Sequence, residues 1–232
     1  MKCIVLPGLD GTGELFPEFT AALANELDVT VVSYPRDRQL SDAELATLIR
    51  QACSVSEPFA LVAESYSTPL AIQYAASQPL NLKALILCVG FATCPVGGWR
   101  RVLGWVSSAF LFRLPYPDFA ARYWAAGAEA PASFLSRLRS VLSSVQPAVL
   151  TARLRALLSC DVLAEVQRIR VSVLYVRAED DRVVDPSRAE EIRRANPGVD
   201  VVSIPGPHLL LETAPQKTAE VVLEFLRRIS AS

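Results

Sequence analysis

The chain of 232 residues is 51% hydrophobic and carries a formal net charge of −1 at pH 7. This length and apolar content suffice for one fully buried core, and the charge balance excludes a strongly basic surface for nucleic acid or an anionic membrane. The five cysteines show neither disulfide-framework nor metal-ligand spacing, so we expect buried thiols in a reducing compartment.

The first residues carry one lysine and a short apolar run that reaches Pro7 too soon for a secretory signal. The longest apolar stretch, residues 102–112, lies between Arg101 and Arg113. It is shorter than the roughly 20 residues that a membrane-spanning helix needs. The sequence therefore predicts a cytoplasmic protein without stable membrane insertion.

Short apolar segments, typical of strands buried on both faces, alternate with helical segments along most of the chain. The predicted strands are residues 3–6, 29–33, 59–63, 82–89, 171–176 and 199–204. The main predicted helices outside the middle of the chain are residues 16–26, 42–52, 66–77 and 215–229. Ser41 and Glu44 form a predicted capping box at the second of these helices. This alternation indicates a parallel sheet of about six strands with helices on both faces.

The alternation stops in the middle of the chain, where only helices are predicted. These helices are residues 99–112, 118–126, 131–145 and 147–159, separated by proline or glycine. We interpret residues 95–160 as an insert in a single domain, residues 1–232, whose core comprises residues 1–94 and 161–232. Asp161 is the predicted N-cap of a short helix where the core resumes.

A strand-to-helix turn at residues 63–67, with the sequence Ala-Glu-Ser-Tyr-Ser, places Ser65 where an apolar strand stops. Such a turn exposes its central residue at the sheet edge, and the N-terminus of the following helix directs N–H groups toward negative charge there. Ser65 is therefore the candidate nucleophile. Ser67 is a poorer candidate, because Pro69 would stand where its own turn needs a small residue.

His208, the only histidine, follows the last predicted strand, and an acidic loop follows the strand before it. The order serine, acid, histidine at successive strand ends is the order of a catalytic triad on a parallel sheet. Asp180, Asp181 and Asp185 compete for the acid. Asp185 precedes Pro186 and is better explained as a helix cap.

Together these motifs resemble those of the α/β-hydrolase superfamily. The resemblance is carried by residues 6–13 (LPGLDGTG), 63–67 (AESYS), 178–184 (AEDDRVV) and 206–208 (GPH). Three features depart from the family. The elbow has no glycine, Pro7 stands where a histidine often precedes the first loop glycine, and the chain starts at what would be the third strand. The N-terminal hairpin of the family is therefore expected to be missing.

The resemblance implies an α/β-hydrolase fold in which the insert forms a helical cap. It also implies that Ser65 attacks a carbonyl carbon, that His208 transfers the proton, and that Asp181 orients the imidazole. The register of the family's acid loop favours Asp181, with Asp180 kept as the alternative.

The resemblance further implies that the backbone N–H groups of Leu9 and Tyr66 form the oxyanion hole. No metal or other cofactor is expected. Two acidic residues near this site, Asp10 and Glu64, are interpreted as a turn former and an exposed polar neighbour.

The insert holds many aromatic side chains, and if it covers the site they would line an apolar acyl pocket. They are Trp99, Trp105, Phe110, Phe112, Tyr116, Phe119, Tyr123, Trp124 and Phe134. The leading hypothesis is a serine hydrolase for a small carboxylic ester or thioester with an apolar acyl group. An acyl carrier is a further candidate partner.

A second hypothesis is an acyltransferase on the same fold, because the LPGLDG loop, residues 6–11, also resembles that of plastid acyl-ester synthases. The third is a binding module that keeps the fold without catalysis, and the fourth is a scaffold that binds other proteins through the apolar surface of the insert.

Overall fold

The computed structural model describes residues 1–53, 57–96 and 118–231. Its centre is a parallel sheet of six strands in the order β2-β1-β3-β4-β5-β6. The strands are β1 (Lys2–Leu6), β2 (Asp28–Val31), β3 (Phe59–Glu64), β4 (Leu82–Cys88), β5 (Ser172–Ala178) and β6 (Val199–Ile204). The prediction of an α/β fold with about six parallel strands is confirmed.

The helices follow the strands in chain order, with several in succession between β4 and β5. They are α1 (Pro17–Ala24), α2 (Asp42–Ala52), α3 (Thr68–Ala76), α4 (Asp118–Ala121), α5 (Ala132–Ser144), α6 (Pro147–Leu158), α7 (Leu163–Val166), α8 (Ser187–Ala195), α9 (Leu210–Thr213) and α10 (Pro215–Ser230). A 3-10 turn, Ser65–Ser67, precedes α3, and a π turn, Arg122–Ala126, follows α4. The short helix α9 is absent from the sequence prediction.

Helices cover both faces of the sheet, because alternate side chains of a strand point to opposite faces. Leu6 of β1 belongs to the same buried cluster as Ile49 of α2. Its neighbour Val5 belongs to the cluster on the other face, with Phe19 of α1 and Phe225 of α10. Burying each of these side chains contributes roughly 2 kcal/mol. The central strand β3 is buried along its whole length.

Two predicted helix caps have different outcomes. The capping box is confirmed, since Ser41 Oγ accepts from the Glu44 N–H at 3.3 Å and the Glu44 carboxylate accepts from the Ser41 N–H at 2.8 Å. The prediction for Asp161 is wrong by one position. Val162 is the N-cap of α7, and Asp161 Oδ1 accepts from the Leu163 N–H at 3.4 Å.

Of the predicted insert, residues 95–160, the structure describes residues 95–96 and 118–160. The predicted helix at residues 99–112 lies outside the described residues, and the division into a core and a cap stays a prediction. Within the described ranges, no helix is both long enough and apolar enough to cross a membrane.

The cysteine thiols are mostly buried, as expected from their positions in apolar segments. Cys3, Cys53, Cys88 and Cys94 are buried, and Cys160 is partly exposed. Burial raises the pKa of Cys3 to about 12, because the thiolate loses its hydration. Thiols in this state are poor nucleophiles at neutral pH.

Candidate active site

Ser65 lies in a sharp turn between β3 and α3. Its φ is +41°, in the left-handed region that side-chain-bearing residues rarely adopt. Such a conformation costs on the order of 1–3 kcal/mol and is typical of functional sites. Thr68 Oγ1 closes the turn by donating to the Ser65 carbonyl at 2.7 Å. The turn thus places the Ser65 side chain at the carboxyl edge of the sheet.

Three of the predicted site residues form one chain of hydrogen bonds. Ser65 Oγ lies 3.0 Å from His208 Nε2, and His208 Nδ1 lies 2.8 Å from Asp181 Oδ2. The His208 and Asp181 side chains are each 8% exposed, so little water competes for these bonds. Asp181 Oδ1 accepts from the N–H groups of Val183 and Val184 at 2.8 and 2.9 Å. Its carboxylate is therefore held in one orientation.

The other two acids of the loop lie apart from His208. Asp180 is exposed, and its N–H donates to the Gly206 carbonyl at 2.9 Å. Asp185 Oδ1 accepts from the Ser187 N–H at 3.0 Å, but the N-cap of α8 is Pro186, so the predicted helix cap is wrong by one position. The structure thus brings Asp181, and not Asp180, to the histidine.

The loop after β1 lies beside the turn that holds Ser65, because Leu6 of β1 is paired with Ala63 of β3. Ser67 Oγ donates to the Pro7 carbonyl and forms a second hydrogen bond, 2.8 Å long, with Tyr34 Oη. The serine that replaces the second elbow glycine therefore ties the elbow to this loop. We call the loop, residues 7–13, the oxyanion loop.

Comparison with known proteins agrees with this geometry. The model of the alpha/beta hydrolase family matches residues 3–221, nearly the whole chain. The chain belongs to this family. A comparison with curated protein sequences gives no match.

Three solved structures are examples of the same fold. The enol-lactonase from Burkholderia xenovorans LB400 is 17% identical, with a TM-score of 0.78 over 97% of this chain and 91% of that one. A thermophilic esterase from Thermogutta terrifontis is 17% identical, with a TM-score of 0.81 over 99% of this chain and 90% of that one. MenH from S. aureus is 16% identical, with a TM-score of 0.78 over 99% of this chain and 94% of that one. At such identities the likeness establishes the fold alone.

Arg153 of α6 reaches into the oxyanion loop and is a feature of this hydrolase that the sequence analysis missed. Its guanidinium is buried and donates to the carbonyls of Leu9 at 3.0 Å, Asp10 at 2.5 Å and Pro35 at 2.9 Å. Burial lowers the pKa of Arg153, but charge-assisted hydrogen bonds compensate for the lost hydration. Arg153 thereby holds the backbone that directly follows the predicted oxyanion donor, the Leu9 N–H.

A sequence signal for Arg153 exists in the pattern of α6. Arg153 shares one helical face with Val149, Leu150 and Leu157, which are all buried. An arginine on an apolar face needs a polar partner inside the protein. The aromatic rings of Tyr34 and Tyr66, 5.7 and 5.9 Å from the guanidinium carbon, complete its surroundings.

Of the predictions for the two acidic residues near the site, one is confirmed and the other is wrong. Asp10 is a turn former, as predicted, because its carboxylate accepts from the Thr12 N–H at 2.7 Å. Glu64 is not the exposed polar neighbour that the sequence predicts, since it is only 2% exposed. The reason is its position as the last residue of β3, which is covered on both faces. Within the described residues, no group of three or more His, Cys, Asp or Glu side chains could hold a metal ion.

The aromatic side chains of the insert are only partly described. Phe134 packs inside a cluster with Leu15 and other apolar residues. Phe119 and Tyr123 are exposed and line a cavity of about 470 Å³ that also contacts Asp180 and Pro207. This cavity adjoins the acid and histidine loops. Trp124 is also exposed. The remaining five aromatics, Trp99, Trp105, Phe110, Phe112 and Tyr116, lie outside the described residues.

Replacing Ser67 by glycine, the usual elbow residue of the family, is expected to destabilise this protein. The change leaves the buried Tyr34 hydroxyl and the Pro7 carbonyl without their shared partner, at a cost of about 1–3 kcal/mol in the free energy of unfolding. Urea denaturation measures it. Ser77→Ala is the control, because Ser77 Oγ donates to a carbonyl at the exposed end of α3. Equal stability of Ser67→Gly and wild type would show that these hydrogen bonds contribute nothing.

Proposed function

We propose that this protein is a serine hydrolase that cleaves a small carboxylic ester, or a thioester, with an apolar acyl group. The observation that carries the proposal is the hydrogen-bonded chain of Ser65, His208 and Asp181 at three strand ends. Together with the strained turn at Ser65, it matches what acyl transfer through a serine requires.

In the proposed mechanism, His208 is the general base. Its Nδ1–H donates to Asp181, which leaves the Nε2 lone pair directed at Ser65 Oγ. Ser65 Oγ attacks the carbonyl carbon as its proton moves to His208 Nε2. The imidazolium then returns this proton to the departing alcohol or thiol, and an acyl-enzyme remains. Water, activated by His208, hydrolyses the acyl-enzyme in the same two steps and releases the acid.

The developing oxyanion would be bound by the N–H groups of Leu9 and Tyr66. Each such donor is worth roughly 3 kcal/mol of transition-state stabilisation. Arg153 supports the first donor by holding the carbonyls of Leu9 and Asp10. Ser67 supports the alignment of the two segments through the Pro7 carbonyl.

Two observations support an ester with an apolar acyl group. An enol-lactonase and an esterase are among the proteins of the same fold. The cavity beside the acid and histidine loops carries Phe119 and Tyr123 on its wall. We propose that the insert, residues 95–160, acts as a cap over the site, and we keep an acyl carrier as a candidate partner.

Labelling with a fluorophosphonate, followed by peptide mapping, tests the proposal. We expect one covalent adduct at Ser65, because this serine has an adjacent base. Hydrolysis of p-nitrophenyl esters from acetyl to dodecanoyl should then show kcat/KM rising with acyl length to an optimum.

Two outcomes would redirect the proposal. Absence of both label and turnover would contradict it and favour a binding module or a scaffold. If an added alcohol yields new ester at the expense of free acid, the protein is an acyltransferase.

A further inference from the structure

Two glutamates outside the proposed catalytic chain meet in the interior. Glu64 ends β3 and Glu212 lies in α9, and their carboxyl groups lie within hydrogen-bonding reach of each other. Both oxygens of Glu212 are buried, although the residue as a whole is partly exposed. Among the described residues, these oxygens and Glu64 Oε1 receive no hydrogen from a conventional donor.

Two buried carboxylates in contact cannot both carry a charge at low cost. If one of them is protonated, its O–H can donate to the other, and the missing donor is supplied from within the pair. Burial is the largest influence on both groups. It raises the pKa of Glu64 well above its usual value and that of Glu212 to about 7.

The groups that face the pair come from three further segments. Asp10 of the oxyanion loop raises both pKa values, whereas His208 lowers that of Glu212. The Cys88 thiol of β4 also faces the pair, and its own pKa is raised by burial and by both glutamates. Negative or neutral groups therefore dominate the surroundings, which favours retention of a proton.

The pair contacts the parts of the proposed active site. Glu64 directly precedes Ser65, and Glu212 follows His208 by about one helical turn. The Glu64 carboxylate accepts a hydrogen bond from the backbone N–H of Gly8, next to Leu9 in the oxyanion loop. A side chain at Gly8 has no room, because its β-carbon would lie 2.9 Å from Glu64 Oε2.

We propose that Glu64 and Glu212 share a proton as a carboxylic acid–carboxylate pair, and that this pair positions the oxyanion loop through Gly8. Glu64 and Glu212 are positioning residues in this scheme, and they do not touch the substrate. Glu64 holds the proton and donates it to Glu212, while the other oxygen of Glu64 accepts from the Gly8 N–H. The Leu9 N–H is then directed at the oxyanion. The catalytic part of this inference rests on the proposed function, but the shared proton does not.

Glu212→Leu and Glu212→Gln test the positioning role. Leucine removes the acceptor of the Glu64 O–H, so that the Glu64 side chain is no longer held in the orientation in which it accepts from the Gly8 N–H. We expect kcat for ester hydrolysis to fall on the order of tenfold with KM nearly unchanged. Glutamine offers a carbonyl acceptor in the same place and should restore most of the wild-type kcat. Equal kcat of wild type and Glu212→Leu, or equal losses in both variants, would overturn this role.

The pH dependence of stability tests the shared proton without any catalysis. The folded pair holds more protons than the unfolded chain between the usual glutamate pKa of about 4.3 and the folded value of about 7 for Glu212. The free energy of unfolding should therefore fall as pH rises through this window. In Glu212→Gln the slope of the free energy of unfolding against pH should be smaller, by the amount that corresponds to about one bound proton.

The exposed Glu220 of α10 provides a matched control. Glu220→Gln should leave both the kinetic constants and the wild-type pH slope unchanged. Identical slopes in wild type and Glu212→Gln would overturn the shared proton. If wild type hydrolyses no ester, the proposed function fails, while the stability slopes still decide whether the pair holds its proton.

Discussion

Replacement of Ser65 by alanine is expected to lower kcat for ester hydrolysis by roughly 10⁴-fold or more, with little change in KM. The variant has no nucleophile, because the hydroxyl that lies 3.0 Å from His208 Nε2 is gone. The oxyanion donors and the binding surface remain, so a slow reaction with water through His208 sets the residual rate.

Parallel assays of wild type, Ser65→Ala and Ser77→Ala on p-nitrophenyl esters measure this effect. Ser77 lies at the exposed C-terminal end of α3, so Ser77→Ala should keep the wild-type kcat/KM. Fluorophosphonate labelling should disappear in Ser65→Ala alone. Retention of most of the rate by Ser65→Ala would remove Ser65 from the mechanism.

Asp181→Asn is expected to lower kcat by roughly 10⁴-fold while the fold is preserved. The N–H groups of Val183 and Val184 both donate to Asp181 Oδ1, so the asparagine carbonyl will occupy that position. Its NH₂ group then takes the place of Oδ2 and donates to His208 Nδ1. This favours the tautomer with hydrogen on Nε2, which cannot accept the proton of Ser65.

Asp180→Asn is the matched control for this prediction. Asp180 adjoins Asp181 in the same loop, carries the same charge and is exposed. Its substitution should change kcat by less than about twofold, because water and salt screen the electrostatic effect of an exposed charge. A larger loss in Asp180→Asn than in Asp181→Asn would transfer the role of the acid to Asp180.

The sheet and its helices follow from local patterns along the chain. The all-apolar run of β3 predicts a strand buried on both faces, and the capping box of Ser41 and Glu44 predicts the start of α2. These features are readable because strand and helix periods and cap hydrogen bonds involve near neighbours in sequence. Boundaries were less predictable: β2 ends at Val31, two residues before the predicted end.

The three-residue chain was predictable for a different reason. Ser65, the acidic loop and His208 each follow a strand, and parallel strands bring their carboxyl ends to one edge. The choice between Asp180 and Asp181, however, depends on which way each side chain points after β5. The sequence left this choice to resemblance, and the backbone N–H groups of Val183 and Val184 explain the orientation of Asp181.

The sequence by itself determined the fold class, the candidate nucleophile and base, and the loop that carries the acid, because each depends on local pattern and strand order. Only the tertiary structure decided the supporting contacts: Arg153 on the oxyanion loop, Ser67 on the Pro7 carbonyl, and Glu64 against Glu212. These partners are far apart in sequence, and each pairing depends on packing geometry. Burial of a polar group is a property of the assembled core, where an unpaired donor or charge is costly and a partner must lie within reach.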